Sequence, residues 1–295
     1  MDPLRHLPGP GRARVLVDGL DHPEGVAWDP AARVVYAGGE AGQIYRISPD
    51  SPRLEQVAQA PGFVLGLAVD GVGRVVACVS GDEPSVCLVV GSSVKKIVTE
   101  VAGEPLIFPN YPAFASDGTL FFTDSGVWGE HTGRVIRLDV DGTQTVFSRA
   151  LDRFPNGCAV TSDGRWLWVV ESLGPTVSRF DLRDGSGPEL LLTLHGHVPD
   201  GLALTLNGCL ISCYRPDRIY HLDVDGRLEV VAQDPHGTLL AAPTNVCFVG
   251  ERMDRAVSAN LGRWHLTILD LECIGSPLHY PNRWAADRLE NSVSN

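Results

Sequence analysis

Apolar residues in this chain gather in short stretches of about five, each closed by a turn signal, and the pattern recurs six times. The six units begin PEGVAWDPAARVVYAGG, VLGLAVDGVGRVVACVS, PNYPAFASDGTLFFTDS, PNGCAVTSDGRWLWVVE, PDGLALTLNGCLISCYR and PTNVCFVGERMDRAVSA. Each predicts a strand, a turn and a second strand. The turns carry Asp29-Pro30, Asp117-Gly118, Asp163-Gly164 and Asn207-Gly208, pairs that supply Asx turns and positive φ between antiparallel strands. A third strand follows in most units, as in GQIYRI or VSRFDL, and often a fourth, as in LEQVA or LEVVA. Four short antiparallel strands per unit describe a propeller blade.

The last unit runs from Pro243 through RAVSAN and HLTILDL without a clear fourth strand, while ARVLVDG stands alone ahead of Pro23. That lone strand is expected to complete the last blade and remove an open edge, which neither an open solenoid nor a two-sheet sandwich would require. The expected fold is therefore all-β: a single six-bladed β-propeller domain over residues 1–295, closed by its N-terminal strand. The C-terminal stretch NRWAADRLENSVSN reads as a short turn or as disordered, with no function attached.

At the head of the innermost strand of each unit stand Glu24, Leu65, Asn110, Asn156, Asp200 and Asn245. Ring closure would bring these positions together near the axis. Taken singly, an Asn or Asp in such a sequence is accounted for by turn chemistry. At one phase of a repeat the set says more, because two adjacent carboxylates without a cation would raise one another's pKa. Carboxylates and amides are hard oxygen donors. They predict one divalent metal ion, Ca2+ first, with Mg2+ or Mn2+ less specific and Zn2+ possible through the carboxylates.

Asp and Glu number 36 against 24 Lys and Arg, a net charge of −12 that opposes nucleic acid and anionic membranes as partners and favours attraction of cations, though a bland acidic surface accounts for the same number. The opening residues lack an apolar signal core and no run is long enough to span a bilayer, so a cytoplasmic location is expected. Four of the seven cysteines, Cys78, Cys158, Cys209 and Cys247, fall in apolar strand patterns and read as reduced core thiols. Cys209 and Cys213 lie on one face of a strand with no second pair, which disfavours zinc.

The phrases HPEGVAWDP, FPNYPAFASDGTLFFTDSG, RFPNGCAVTSDGRWLWVVES and VPDGLAL resemble the senescence marker protein/gluconolactonase/luciferin-regenerating enzyme family of six-bladed propellers, relatives of diisopropyl fluorophosphatase. The resemblance covers roughly residues 14–272. It implies metal ligation by Glu24, Asn156 and Asp200, with Asn110 a ligand or substrate contact and Asn245 a supporting position behind the ligands. It further implies hydrolysis of lactones or phosphotriester-like compounds, with Asp200 as general base or nucleophile. The alternative is a propeller whose ion is structural, binding a small molecule or catalysing a non-hydrolytic, strictosidine synthase-like step.

Around the expected channel mouth, His22, His197 and Trp128 are candidate substrate contacts, with His195 and His131 beside them. Asp124 and Glu171 read as surface or inter-blade hydrogen-bonding residues. VAGEPLIFPN contains no arginine to match the family's sugar-acid contact, which weighs against gluconolactone. Leu65 leaves a gap between Glu24 and Asn110, expected to face water or substrate.

Overall fold

A computed structural model describes residues 12–289 and shows six four-stranded antiparallel sheets arranged as blades around an axis. The first blade comprises Val26–Asp29, Val34–Gly38, Gln43–Ile47 and Leu54–Gln59. The others begin with the innermost strands Phe63–Val69, Pro109–Phe114, Pro155–Val160, Val198–Thr205 and Pro243–Val249. Each innermost strand packs against the innermost strands of the next and previous blades, and the sixth meets the first. The propeller and its closure are as expected: Ala13–Asp18 adds to His265–Asp270 as the outer strand of the sixth blade, with Ala13 opposite Leu269 and Asp18 opposite His265. Core side chains lie between neighbouring sheets, as in the cluster joining Leu16, Val26, Tyr45, Cys247 and Ile268 across the closure.

The glycines that follow the strand heads are not turn residues. A Cβ on Gly25 would lie 2.0 Å from the Leu65 carbonyl oxygen, and one on Gly201 would lie 2.4 Å from the Thr244 carbonyl oxygen. Glycine here lets the backbone of one blade press against the next and brings the heads within reach of each other. Gly25→Ala is expected to cost roughly 1–3 kcal/mol by overpacking, read as a lowered midpoint in urea denaturation. A midpoint equal to wild type would show that the inner strands can separate without penalty.

Of the two expectations for the C-terminal stretch the described part meets the short turn, ending in the single helical turn Ala286–Leu289; residues 290–295 lie outside the described part. The segment leading into it crosses the bottom of the propeller from blade to blade, where Ser276 donates its N–H to the Leu204 carbonyl, His279 Nε2 lies 2.9 Å from the Thr161 carbonyl and the Tyr280 hydroxyl donates to Trp28. Trp284 is fully buried, edge-on to Phe114, and donates its indole N–H to Asp70. Between this segment and the inner strands lies an apolar cavity of about 70 Å³, lined by residues such as Leu67, Cys158, Leu202 and Tyr280. Among the described residues no helix is long and apolar enough to cross a membrane.

Candidate functional site

Five of the six heads occupy interruptions of the β-ladder. Pairing of the inner with the second strand skips between Val64 and Leu67, Pro109 and Pro112, Pro155 and Cys158, Pro199 and Leu202, and Pro243 and Val246. Leu65, Asn110, Asn156, Asp200 and Asn245 fall inside these gaps. A residue released from the ladder can aim its side chain where alternation would not. Glu24 lies just before its strand, its N–H donating to the Gly38 carbonyl.

Hydroxyl groups fasten this geometry from blade to blade. Thr123 donates to the Asn156 carbonyl at 2.8 Å, Ser172 to Pro199 at 2.7 Å, Ser212 to Thr244, and Thr244 to Glu24 at 2.7 Å. Ser172 does more. Because its proton is committed to Pro199, its oxygen must accept, and it does so from Asn156 Nδ2 at 3.2 Å. That fixes the orientation of the Asn156 amide and leaves Oδ1 without a partner on the protein. In the same way Asn245 Nδ2 donates to Glu24 Oε2 at 3.2 Å, leaving Asn245 Oδ1 unpartnered.

Glu24, Asn110, Asn156, Asp200 and Asn245 are all buried. Burial pushes the Asp200 carboxyl up to about 8, with the neighbouring Asn156 amide pulling it back in part. Glu24 is driven well above the usual carboxylate range by burial first and by the Asp200 charge second, against the hydrogen bond from Asn245. Four buried side-chain oxygens at this one phase of the repeat, on Asn110, Asn156, Asp200 and Asn245, have no hydrogen-bond partner. Buried polar atoms are normally satisfied. Two carboxylates and convergent amide oxygens form a donor set that fits a hard divalent cation.

A second, more exposed group lies nearby. Ligand atoms of Asp21, His22 and Glu40 fall within 4.8 Å of one another, an arrangement consistent with a divalent-metal site. The Asp21 carboxylate already accepts from Ala41 N–H at 2.9 Å, and His22 Nδ1 lies 2.9 Å from the Leu261 carbonyl.

The remaining sequence candidates fall in different places. His22 stands two residues before Glu24, edge-on to Trp264. Trp128 is exposed and packs edge-on against Phe154, two residues before Asn156. His197 is drawn outward along its own blade, its Nε2 2.7 Å from the Tyr220 hydroxyl on the third strand, Arg218–Asp223. His195 is exposed, and His131 Nδ1 lies 3.0 Å from Asp152. Cys209 and Cys213 are core residues whose thiols burial pushes up. Leu65 is buried in an apolar cluster against which Phe63 and Phe108 also pack.

Asp124 and Glu171 are buried rather than on the surface. Asp124 accepts the backbone N–H groups of Ile107 and Phe108 and pairs with the buried Arg134 at 2.9 Å. Glu171 accepts from Arg153 N–H, and Asn260 does the same for Ala241. All three end the second strand of their blades and tie down the segment leading to Asn110, Asn156 or Asn245. Asn260 was missed in the sequence. Its signal is position, since it ends a second strand as Asp124 and Glu171 do.

The fold and the site define a six-bladed propeller with a ring of oxygen donors at one end of its channel. The family model described as SMP-30/Gluconolactonase/LRE-like region matches residues 22–258, and the chain belongs to that family. Among solved structures it is similar to a gluconolactonase from Xanthomonas campestris (24% identity, TM-score 0.76, 92% of this chain and 93% of that one). It is also similar to regucalcin, a calcium-binding protein from Agrobacterium tumefaciens (18%, TM-score 0.74, 90% and 97%). At these identities the likeness shows the fold. A curated relative, strictosidine synthase-like 10 from Arabidopsis thaliana, is 27% identical over 242 residues, 68% of this chain. The match spans 62% of that relative's length.

Proposed function

We propose that the chain is a divalent-metal-dependent hydrolase of the lactonase type, its ion held by Glu24, Asn110, Asn156 and Asp200. Asn245 fixes the Glu24 carboxylate from behind. The observation that carries this reading is the set of unpartnered, buried oxygens at one phase of the repeat beside two carboxyls, Asp200 and Glu24, that burial pushes above the usual carboxylate range, Glu24 further so by the Asp200 charge. Calcium is the expected ion, given the oxygen-only donors. Asp21, His22 and Glu40 are the weaker candidate because Glu40 is exposed and the Asp21 carboxylate and His22 ring already have backbone partners in Ala41 and Leu261.

When bound, such an ion polarises a lactone carbonyl and stabilises the oxyanion. The protein's own part is to hold the ligand oxygens through Ser172, Thr123 and Thr244, to admit one attacking water beside Asp200, and to move its proton. Asp200 takes the proton of the attacking water at a carboxylate oxygen, and Glu24 serves ligation alone. A small-molecule lactone or ester is the expected substrate, and no macromolecular partner is invoked.

The likeness to a strictosidine synthase-like protein supports a second reading, a structural ion and a non-hydrolytic step. Turnover of lactones, aryl esters and phosphotriesters, measured with and without chelator beside a melting curve, separates the two. Chelation is expected to stop turnover while the propeller stays folded at assay temperature. Undiminished turnover in chelator, or activity lost only as the protein unfolds, would refute the catalytic ion.

A further inference from the structure

The rim of the channel carries an aromatic arc that the ion site does not use. Phe63, Phe108 and Phe154 stand two residues before the heads Leu65, Asn110 and Asn156, so three consecutive blades present phenylalanine at one phase. Phe108 and Phe154 have ring centroids 5.5 Å apart, and Trp128 meets Phe154 edge-on at 4.8 Å. The arc continues into water: Trp128 is 57% exposed, Val127 42% and Ile107 39%. A contiguous apolar patch beside a buried polar site marks a surface meant to be covered.

This patch is built, not draped. Asp124 accepts from both Ile107 and Phe108 N–H, the Thr132 hydroxyl accepts from Val127 N–H at 2.8 Å, and Phe154 holds a left-handed backbone at φ 65°. That conformation is unfavourable for a residue with a side chain and persists only where surroundings enforce it. Leu65, the head without oxygen, is buried in the cluster against which Phe63 and Phe108 pack, so beside the polar heads Asn110 and Asn156 the phenylalanine side is backed by apolar residues. A polyhydroxylated ring laid against it would lose water from its hydroxyls and gain no partner.

From this geometry, and resting on the hydrolase reading, we infer that the site selects lactones or esters bearing a flat apolar substituent, seated on Trp128 where it packs against the buried Phe154, over sugar lactones. Calorimetry on the calcium-loaded protein with unreactive carboxylates tests it: 4-phenylbutyrate, butyrate and gluconate. Phenylbutyrate is expected to bind about 10-fold more tightly than butyrate, and gluconate no better than butyrate. Trp128→Ala should collapse the phenyl preference while calcium affinity stays at its wild-type value, and Trp128→Phe should retain most of it. Equal affinities in wild type, undetectable phenylbutyrate binding, a preference that survives Trp128→Ala, or a loss shared with calcium would each overturn the inference. Its failure is distinguishable from that of the hydrolase reading. Ring-dependent binding without hydrolysis of any lactone or ester sinks the hydrolase, whereas hydrolysis without ring preference sinks only the aromatic subsite.

Discussion

Asp200→Asn is expected to lower kcat/KM by about 10²- to 10⁴-fold, the range for losing a positioned general base, while the propeller stays folded. The amide keeps the shape of the carboxylate but takes up no proton and brings one negative charge fewer to the ion, so metal affinity should fall as well. The effect on stability should have the opposite sign. In ion-free protein the wild type confines two carboxyls in one buried volume, with Glu24 raised partly by the charge on Asp200. Replacing one by a neutral amide relieves that conflict. Ion-free Asp200→Asn should therefore melt above ion-free wild type at about pH 8 and below the calcium-loaded wild type. Turnover, metal content and melting temperature measured on one preparation check all three, and full activity with full metal content would sink the catalytic role.

Ion-free protein should lose stability steadily as pH rises from about 5 to about 8, and calcium should restore it. Unfolded carboxyls ionise near pH 4, whereas folded Asp200 holds its proton to about 8 and Glu24 is also raised. Across that window the folded state binds more protons than the unfolded state, so stability falls with rising pH. The contribution is complete below the unfolded pKa and gone once pH passes the folded one. Other carboxyls act with the opposite sign at lower pH. Burial alone would raise Asp234, yet hydrogen bonds from Leu239, Thr238 and Leu240 hold it at about 2, so its share is lost only as the solution becomes acidic. Binding of calcium near pH 6 must expel the retained protons. Calorimetry in buffers of differing ionisation enthalpy should detect their release, with the Asp200 share gone above about pH 9. A melting temperature flat from pH 5 to 8, with no proton release, would show that the carboxyls are not held protonated.

The blades could be inferred from the sequence because their period is written in local signals: short apolar runs, turn pairs, and a spare strand at the N-terminal end to match the one missing from the last unit. The oxygen ring was legible for a related reason, since Glu24, Asn156 and Asp200 share a phase that closure converts into proximity. What stayed hidden depends on contacts between blades. Gly25 and Gly201 look like turn glycines beside their acids, and only the neighbouring carbonyls reveal that they permit close backbone approach. For Asp124 the surface and inter-blade hydrogen-bonding readings stayed open in the sequence because its partner, Arg134, lies in the next strand and its backbone donors belong to a segment that precedes the blade. The direction of His197 was set by Tyr220, 23 residues away. Trp284 sat in a polar stretch with nothing to show that it would be buried against Phe114.

The C-terminal segment that runs beneath the blades turns the channel from a tunnel into a well. It crosses the floor by gripping Trp28, Thr161 and Leu204, on three separate blades, through the Tyr280 and His279 side chains and the Ser276 backbone N–H. On the proposed function, a molecule reaching the oxygen ring enters at the rim opposite this segment and leaves the same way, so product must clear the rim before another substrate can descend.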